Sequence, residues 1–204
     1  IEGLVIRRDY PVGLELSPDQ VREQLLNFFD VLSALHSVDL AEAGLNNFGR
    51  PEGYVQRQVD GWCKRWEGAV TKDAVDCDVT MQWLHDNLPR DSGKASVIHN
   101  DYKMDNVIFS LENPLELIGV LDWEMATVGD PVMDLGCTLG YWTQMDDPDF
   151  FREYRAMPSD VKGAPTRSEI VSRFQERTGV SVGHFPFYFC FGLFRFAVIV
   201  QQIY

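Results

Sequence analysis

The sequence has no excess of positive charge. Its 18 Lys and Arg stand against 31 Asp and Glu, for a formal net charge of −13. A nucleic-acid binder needs a basic surface to meet phosphates, so that class of partner is set aside. Cysteine is sparse: Cys63, Cys77, Cys137 and Cys190 are scattered and form no C-x-x-C pair. That excludes a zinc knuckle or dithiol redox motif, and reduced thiols in a cytoplasmic protein are expected. No signal peptide is visible. The most apolar run, Phe185 to Val200, contains Pro186 and Arg195. It is expected to be a buried core helix and not a membrane span. Internal repeats and low-complexity tracts are missing too. Nothing sets the oligomeric state. The remaining composition, 45% hydrophobic and 24% charged, is that of a globular domain.

Local patterns then order the chain. Ile1 to Ile6 reads as the tail of a strand and Arg7 to Pro11 as a loop. Ser17-Pro18-Asp19-Gln20 is a helix start, with Ser17 as N-cap, Pro18 at the first helical position and Gln20 closing a capping box. Val21, Leu25, Phe28, Leu32 and Leu35 follow at helical spacing, and the helix should end near His36. After a loop from Gly44 to Gly53, a second helix is expected over 54–69, striped by Val55, Val59, Trp62 and Trp66. Met81 to Leu88 suggests a third, stopped by Pro89, with Arg90 to Lys94 as a turn. The pattern then switches to short β-branched runs at Val97-Ile98, Val107-Ile108-Phe109 and Leu117 to Leu121. From Pro131 through Leu139 the chain is helical again. Met145 to Asp149 reads as an acidic loop, and 166–178 and 187–202 as two more helices.

Two motifs sit at the ends of those short strands. The first is His99-Asn100-Asp101-Tyr102-Lys103-Met104-Asp105-Asn106, an H-x-D-x-K-x-x-N pattern. The second is Asp122, at the end of the apolar run Val120-Leu121 and before Trp123-Glu124. A carboxylate in the first loop can accept a hydroxyl proton and aim the oxygen at phosphorus. Asn106 offers a hard carbonyl oxygen and Asp122 a charged one, a donor set suited to magnesium. Lys103 can meet a phosphoryl group as a point charge. His99 braces the loop by hydrogen bonding. Together these parts move a phosphoryl group from a nucleotide to a hydroxyl.

These residues resemble the C-terminal lobe of the aminoglycoside phosphotransferase and choline kinase superfamily, which shares the protein-kinase fold. His-Asn-Asp is similar to the choline-kinase form of the catalytic loop. Leu121-Asp122-Trp123-Glu124 is similar to the family's magnesium segment, and Gly129-Asp130-Pro131-x-x-Asp134-Leu135-Gly136 to its G-x-P-x-x-D-L segment. Leu35-His36 fits as well. The resemblance implies an α+β fold, mainly helical, with a small β-hairpin carrying the catalytic and metal loops. It implies ATP or another nucleoside triphosphate, with Mg2+. Asp101 is then the catalytic base, Lys103 its catalytic partner, and Asn106 and Asp122 the metal ligands. Asp134 ties the catalytic loop to the next helix. Glu124 either reaches the metal through water or orients Asn106, or else is a surface residue. His36 is expected to be a satisfied core histidine. Residues 1–6 are the end of an interlobe hinge and 7–204 the C-terminal lobe. The nucleotide-gripping first lobe, with its phosphate-covering loop, is absent from this numbering, so residues 1–204 alone are expected to bind nucleotide weakly and turn over little.

The finer pattern Gly53-Tyr54-x-x-Arg57-Gln58-Val59-x-x-Trp62-x-x-Arg65-Trp66, with the run from Val120 to Pro131, resembles the phosphotransferase-like domains related to those fused to acyl-CoA dehydrogenases. The implied acceptor is a small-molecule hydroxyl on an acyl compound, such as a hydroxyacyl-CoA. Arg57, Lys64 and Arg65 would suit an anionic acceptor, and Trp62, Tyr141 and Trp142 an apolar one; their plain alternatives are a solvated helix face and a core. An aminoglycoside or choline-type acceptor would draw instead on Asp146, Asp147, Asp149 and Glu153. A non-catalytic kinase-like interaction module and a metal-dependent hydrolase complete the alternatives. The first has no need for Asp101, Asn106 and Asp122 together. The second lacks the further His and Asp ligands of a two-metal site.

Overall fold

A computed structural model describes residues 2–90 and 92–203. Ile1, Asp91 and Tyr204 lie outside the described residues, so the readings that include them apply here only to their neighbours. The first helix, α1 (Pro18–Leu35), begins where its sequence dictates: the Ser17 side chain accepts from the Gln20 N–H, and the Gln20 side chain returns to the Ser17 N–H. Its face of Val21, Leu25, Phe28 and Leu32 is buried. Helix α2 (Tyr54–Ala69) buries Val55, Val59, Trp62 and Trp66. Helix α3 (Asp78–Asp86) starts a turn earlier than Met81 and ends before Leu88. Its first turn was hidden because Val79 is exposed and adds nothing to an apolar stripe.

The strands make two antiparallel ladders. In one, β2 (Val107–Phe109) pairs with β3 (Leu117–Val120), the expected hairpin, with an irregularity between Ile108 and Phe109. Leu4 bridges to Phe109 on the other edge through two backbone hydrogen bonds of 2.8 Å. In the other ladder β1 (Ser96–Ile98) pairs with β4 (Thr127–Gly129), in register Ser96 to Gly129 and Ile98 to Thr127. The sequence reading did not anticipate β4. The two ladders are nested along the chain. Leaving β1, the backbone must pass through residues 99–106 to enter β2. Leaving β3, it must pass through 121–126 to enter β4. Both motifs therefore sit at the junction of the ladders.

Helix α4 (Pro131–Gly140) follows, capped by Asp130, whose side chain accepts from the Val132 and Met133 N–H groups. The expected acidic loop contains a short helix, α5 (Asp149–Glu153). Helix α6 (Arg167–Thr178) carries a second capping box, Thr166 with Glu169. It lies along α1, held by Arg22–Glu169 and by Asp30 with Arg173 and Arg177. The last helix, α7 (Phe185–Ile203), is the one described helix with the length and apolarity of a membrane span. It packs along α4 at unusual proximity. A Cβ on Gly192 would stand 2.2 Å from the Gly136 carbonyl oxygen, and one on Gly140 would stand 2.6 Å from the Gly192 carbonyl carbon. Among the described residues the fold is thus α+β and mainly helical, with seven α-helices around the ladders. All four cysteines are free; Cys63 and Cys137 are buried, and Cys77 and Cys190 are half-buried.

Candidate active site

The loop after β1 is organised by Asp134, in the first turn of α4. Its carboxylate is fully buried and accepts three hydrogen bonds: from the His99 N–H (2.8 Å), the Asn100 N–H (2.7 Å) and His36 Nε2 (2.9 Å). Burial by itself would raise this carboxyl. The His36 hydrogen bond and charge, with the two backbone N–H groups, outweigh it and hold the group below the usual carboxylate range. Asn100 adopts a left-handed backbone, φ 65°, which Asn tolerates better than most residues. Its side chain accepts from the Tyr54 hydroxyl and donates to the Met125 carbonyl.

His99 links the two motifs. Its Nδ1 accepts from the Asp101 N–H at 3.2 Å, while Nε2 lies 2.7 Å from the Leu121 carbonyl. That pattern fixes the hydrogen on Nε2. The imidazole therefore spans from the proton-acceptor loop to the residue before Asp122. A second strut runs from the Leu121 N–H to the Asn106 carbonyl, 2.8 Å. Asp122 itself has φ 61°, ψ 54°, a left-handed conformation that a non-glycine residue reaches at some cost. It begins an exposed one-turn 3-10 helix, Trp123–Met125, which carries Glu124 at the surface.

Around Asp101 three donors converge. Asn106 Nδ2 lies 3.0 Å from Oδ2, Lys103 Nζ 3.1 Å from the same Oδ2, and the Tyr141 hydroxyl 3.2 Å from Oδ1. Asn106 Nδ2 also donates to the Asp101 backbone carbonyl. With its amide nitrogen so committed, Asn106 keeps Oδ1 as a hard oxygen donor. A carboxylate has about four lone-pair positions. Oδ2 serves two donors here and Oδ1 one, so the open position is on Oδ1, beside Tyr141. Nearby, Asp105 is raised by burial, against the opposing pull of Lys103. Burial likewise pushes the Tyr141 hydroxyl up, so it is a donor at neutral pH.

The structure thus gathers Asp101, Lys103, Asn106 and His99, adds Asp122 through Leu121, and supports them on Asp134. Among the described residues no cluster of three His, Cys, Asp or Glu could hold a metal unaided. Two protein oxygens, Asn106 Oδ1 and Asp122, fit a magnesium ion that takes its remaining ligands from phosphates and water.

Three expected substrate contacts do not reach this centre. Trp142 is core: it is 1% exposed, donates to the Pro165 carbonyl and meets Phe29 edge-on. Trp62 is buried with Arg65 on its ring at 4.3 Å and Arg195 at 5.1 Å. Arg57 braces the preceding loop through the carbonyls of Arg50 and Glu52. Tyr141 alone of the four touches Asp101. Of the acids proposed for a cationic acceptor, Asp147 is taken up by Arg167 and the Gln144 N–H. The sequence reading missed Arg195. It is 3% exposed on α7, with Nη2 3.9 Å from the Met125 sulfur and its charge acting on Cys137, Tyr141 and Asp101. Its only sequence signal is a cation inside an apolar run.

The chain is similar to several known proteins. Acyl-CoA dehydrogenase family member 10 of Mus musculus is 33% identical over 204 residues, covering 99% of this chain and 19% of that protein. Acyl-CoA dehydrogenase family member 11 of Rattus norvegicus is 30% identical, covering 100% of this chain and 26% of that one. The chain thus spans about a fifth to a quarter of these relatives. A crystal structure of a candidate aminoglycoside phosphotransferase from Ralstonia eutropha JMP134 matches with a TM-score of 0.84 at 31% identity, over 100% of this chain and 61% of that one. The model of the phosphotransferase enzyme family, APH, matches residues 1–169. With that match over most of its length, the chain belongs to the phosphotransferase enzyme family.

Proposed function

We propose that this chain carries the chemistry of an ATP- and magnesium-dependent kinase acting on the hydroxyl of a small acyl compound, such as a hydroxyacyl-CoA, in the cytoplasm. The single observation that carries the reaction is the open lone-pair position on Asp101 Oδ1, with Oδ2 saturated by Asn106 and Lys103. An acceptor hydroxyl donating to Oδ1 is oriented by it and gives up its proton there as its oxygen bonds to phosphorus. The leaving nucleotide diphosphate keeps the electrons of the broken P–O bond. Lys103, 28% exposed in its side chain, moves from Asp101 toward the transferring phosphoryl. Magnesium, when bound with the nucleotide, neutralises phosphate charge, and Asn106 and Asp122 are the residues that would hold it. Residues 7–204 act in this reading as the lobe that supplies base and metal ligands.

The names of the relatives, acyl-CoA dehydrogenase family members, support an acyl acceptor. The pairing of Asp147 with Arg167 and the Gln144 N–H leaves one carboxylate fewer for an aminoglycoside. The test is nucleotide consumption by the full-length protein across hydroxyacyl-CoAs, choline-like amines, sugars and aminoglycosides. Asp101→Asn should lower transfer by roughly 10²- to 10⁴-fold with nucleotide binding retained. Undiminished transfer by that variant would remove Asp101 as the base. Transfer confined to aminoglycosides or amines would remove the acyl acceptor.

A further inference from the structure

Tyr141 has two sides. Its hydroxyl donates to Asp101 Oδ1, the oxygen with the open position. Its ring meets Phe196 edge-on, centroids 5.3 Å apart, and helps to line a cavity of about 160 Å³. The other large groups around that cavity are Leu193, Phe150, Phe151 and Tyr154. No charged side chain is among its lining residues. Phe150 and Tyr154 are 61% and 70% exposed, so two large apolar groups stand in water at its edge. A hydroxyl resting on Oδ1 is a neighbour of the Tyr141 hydroxyl, and Tyr141 is also a lining residue of this cavity.

We infer that the cavity between Tyr141, Leu193 and Phe196 seats the alkyl chain of the acceptor while its hydroxyl rests on Asp101 Oδ1. The assignment presupposes the hydroxyl-acceptor kinase proposed above. The volume is close to that of a cavity, roughly 150 Å³, that takes up benzene, so a chain segment of about six carbons fills it. An uncharged, aromatic lining rewards apolar surface and offers an aminoglycoside's ammonium groups nothing. The cavity thereby selects for apolar acceptors, a task that the base and metal ligands do not perform.

The test uses the full-length protein and a homologous series of hydroxyacyl-CoA thioesters of short, medium and long chain. Each methylene that enters the cavity should raise kcat/KM about fourfold until the cavity is full, from about 0.8 kcal/mol per buried CH₂. Leu193→Trp, which fills the cavity, should flatten that dependence. Phe150→Ala, at the exposed edge where folding is little affected, should weaken it. If transfer occurs but is insensitive to chain length, or if both variants keep the wild-type dependence, the cavity assignment falls and the kinase reading stands. If no hydroxyacyl thioester is phosphorylated, the acyl-acceptor reading falls. Calorimetric titration of the same thioesters then decides the cavity alone. Affinity that climbs with chain length in the wild type and not in Leu193→Trp supports it, and a flat series overturns it.

Discussion

Replacing Asp134 with Asn changes one atom's chemistry at nearly constant volume, and the consequence can be worked through. The carboxylate accepts from the His99 N–H and His36 Nε2 at Oδ2, and from the Asn100 N–H at Oδ1. An amide offers one oxygen and one NH₂. With the NH₂ at the Oδ1 position, the Asn100 N–H loses its acceptor. With the NH₂ at Oδ2, the His99 N–H does. His36 has no escape through its other tautomer, because its Nδ1 is buried and has no hydrogen-bond partner among the described residues. One buried donor left unsatisfied costs about 1–3 kcal/mol. A loss of about 1–3 kcal/mol is therefore expected in urea unfolding, with the m-value unchanged. Transfer by the full-length protein should fall with it, since Asn100 adjoins Asp101. The pH dependence has a definite sign. Asp134 is held below its usual range in the fold. Its contribution is complete above the unfolded value, about 3.9, and is lost as pH falls through the lower folded value. Asn has no proton to gain. The stability gap between wild type and Asp134→Asn should thus be constant at neutral pH and narrow only below about pH 4. A gap under about 1 kcal/mol at neutral pH, or one that persists undiminished in acid, refutes the reasoning.

Gly192→Ala drives a Cβ into the Gly136 carbonyl and should cost about 1–3 kcal/mol, a lowering of Tm by roughly 2–12 °C for a domain of this size; thermal unfolding followed by circular dichroism checks it. Tyr141→Phe removes one hydrogen bond to Asp101 and keeps the ring. Its kcat should fall about two- to tenfold with nucleotide affinity unchanged, and a full-strength enzyme would show that the hydroxyl does not position the base.

What was legible in the sequence was whatever rests on local chemistry. The Ser17–Gln20 and Thr166–Glu169 boxes close over three residues, and the first is written out in Ser17-Pro18-Asp19-Gln20. The buried faces of α1 and α2 follow from period alone. The clustering of Asp101, Lys103 and Asn106 needs only one loop. Other features depend on contacts far apart in the chain. His36 meets Asp134 across 98 positions, and nothing near His36 marks the match. Strand β4 was hidden because Thr127-Val128-Gly129 has three residues and gains its ladder only from β1. The aromatic residues divided for a similar reason. Tyr141 and Trp142 are adjacent, yet at the end of α4 their side chains part, one to the base and one to the core. Adjacent residues of one apolar type cannot announce which way each will turn.

The contact of Gly192 with Gly136 and Gly140 limits how the lobe can move. At these glycines α4 and α7 meet backbone against backbone, with no side chain of their own to absorb a shift. The pair behaves as one stiff plank, and Asp134 and Arg195 ride on it together. The connection between the two helices, residues 141–184, lies outside that contact, and its Phe150 and Tyr154 stand in solvent. The loop of Asp101 is anchored to that pair through Asp134, and the apolar edge of the neighbouring cavity is not.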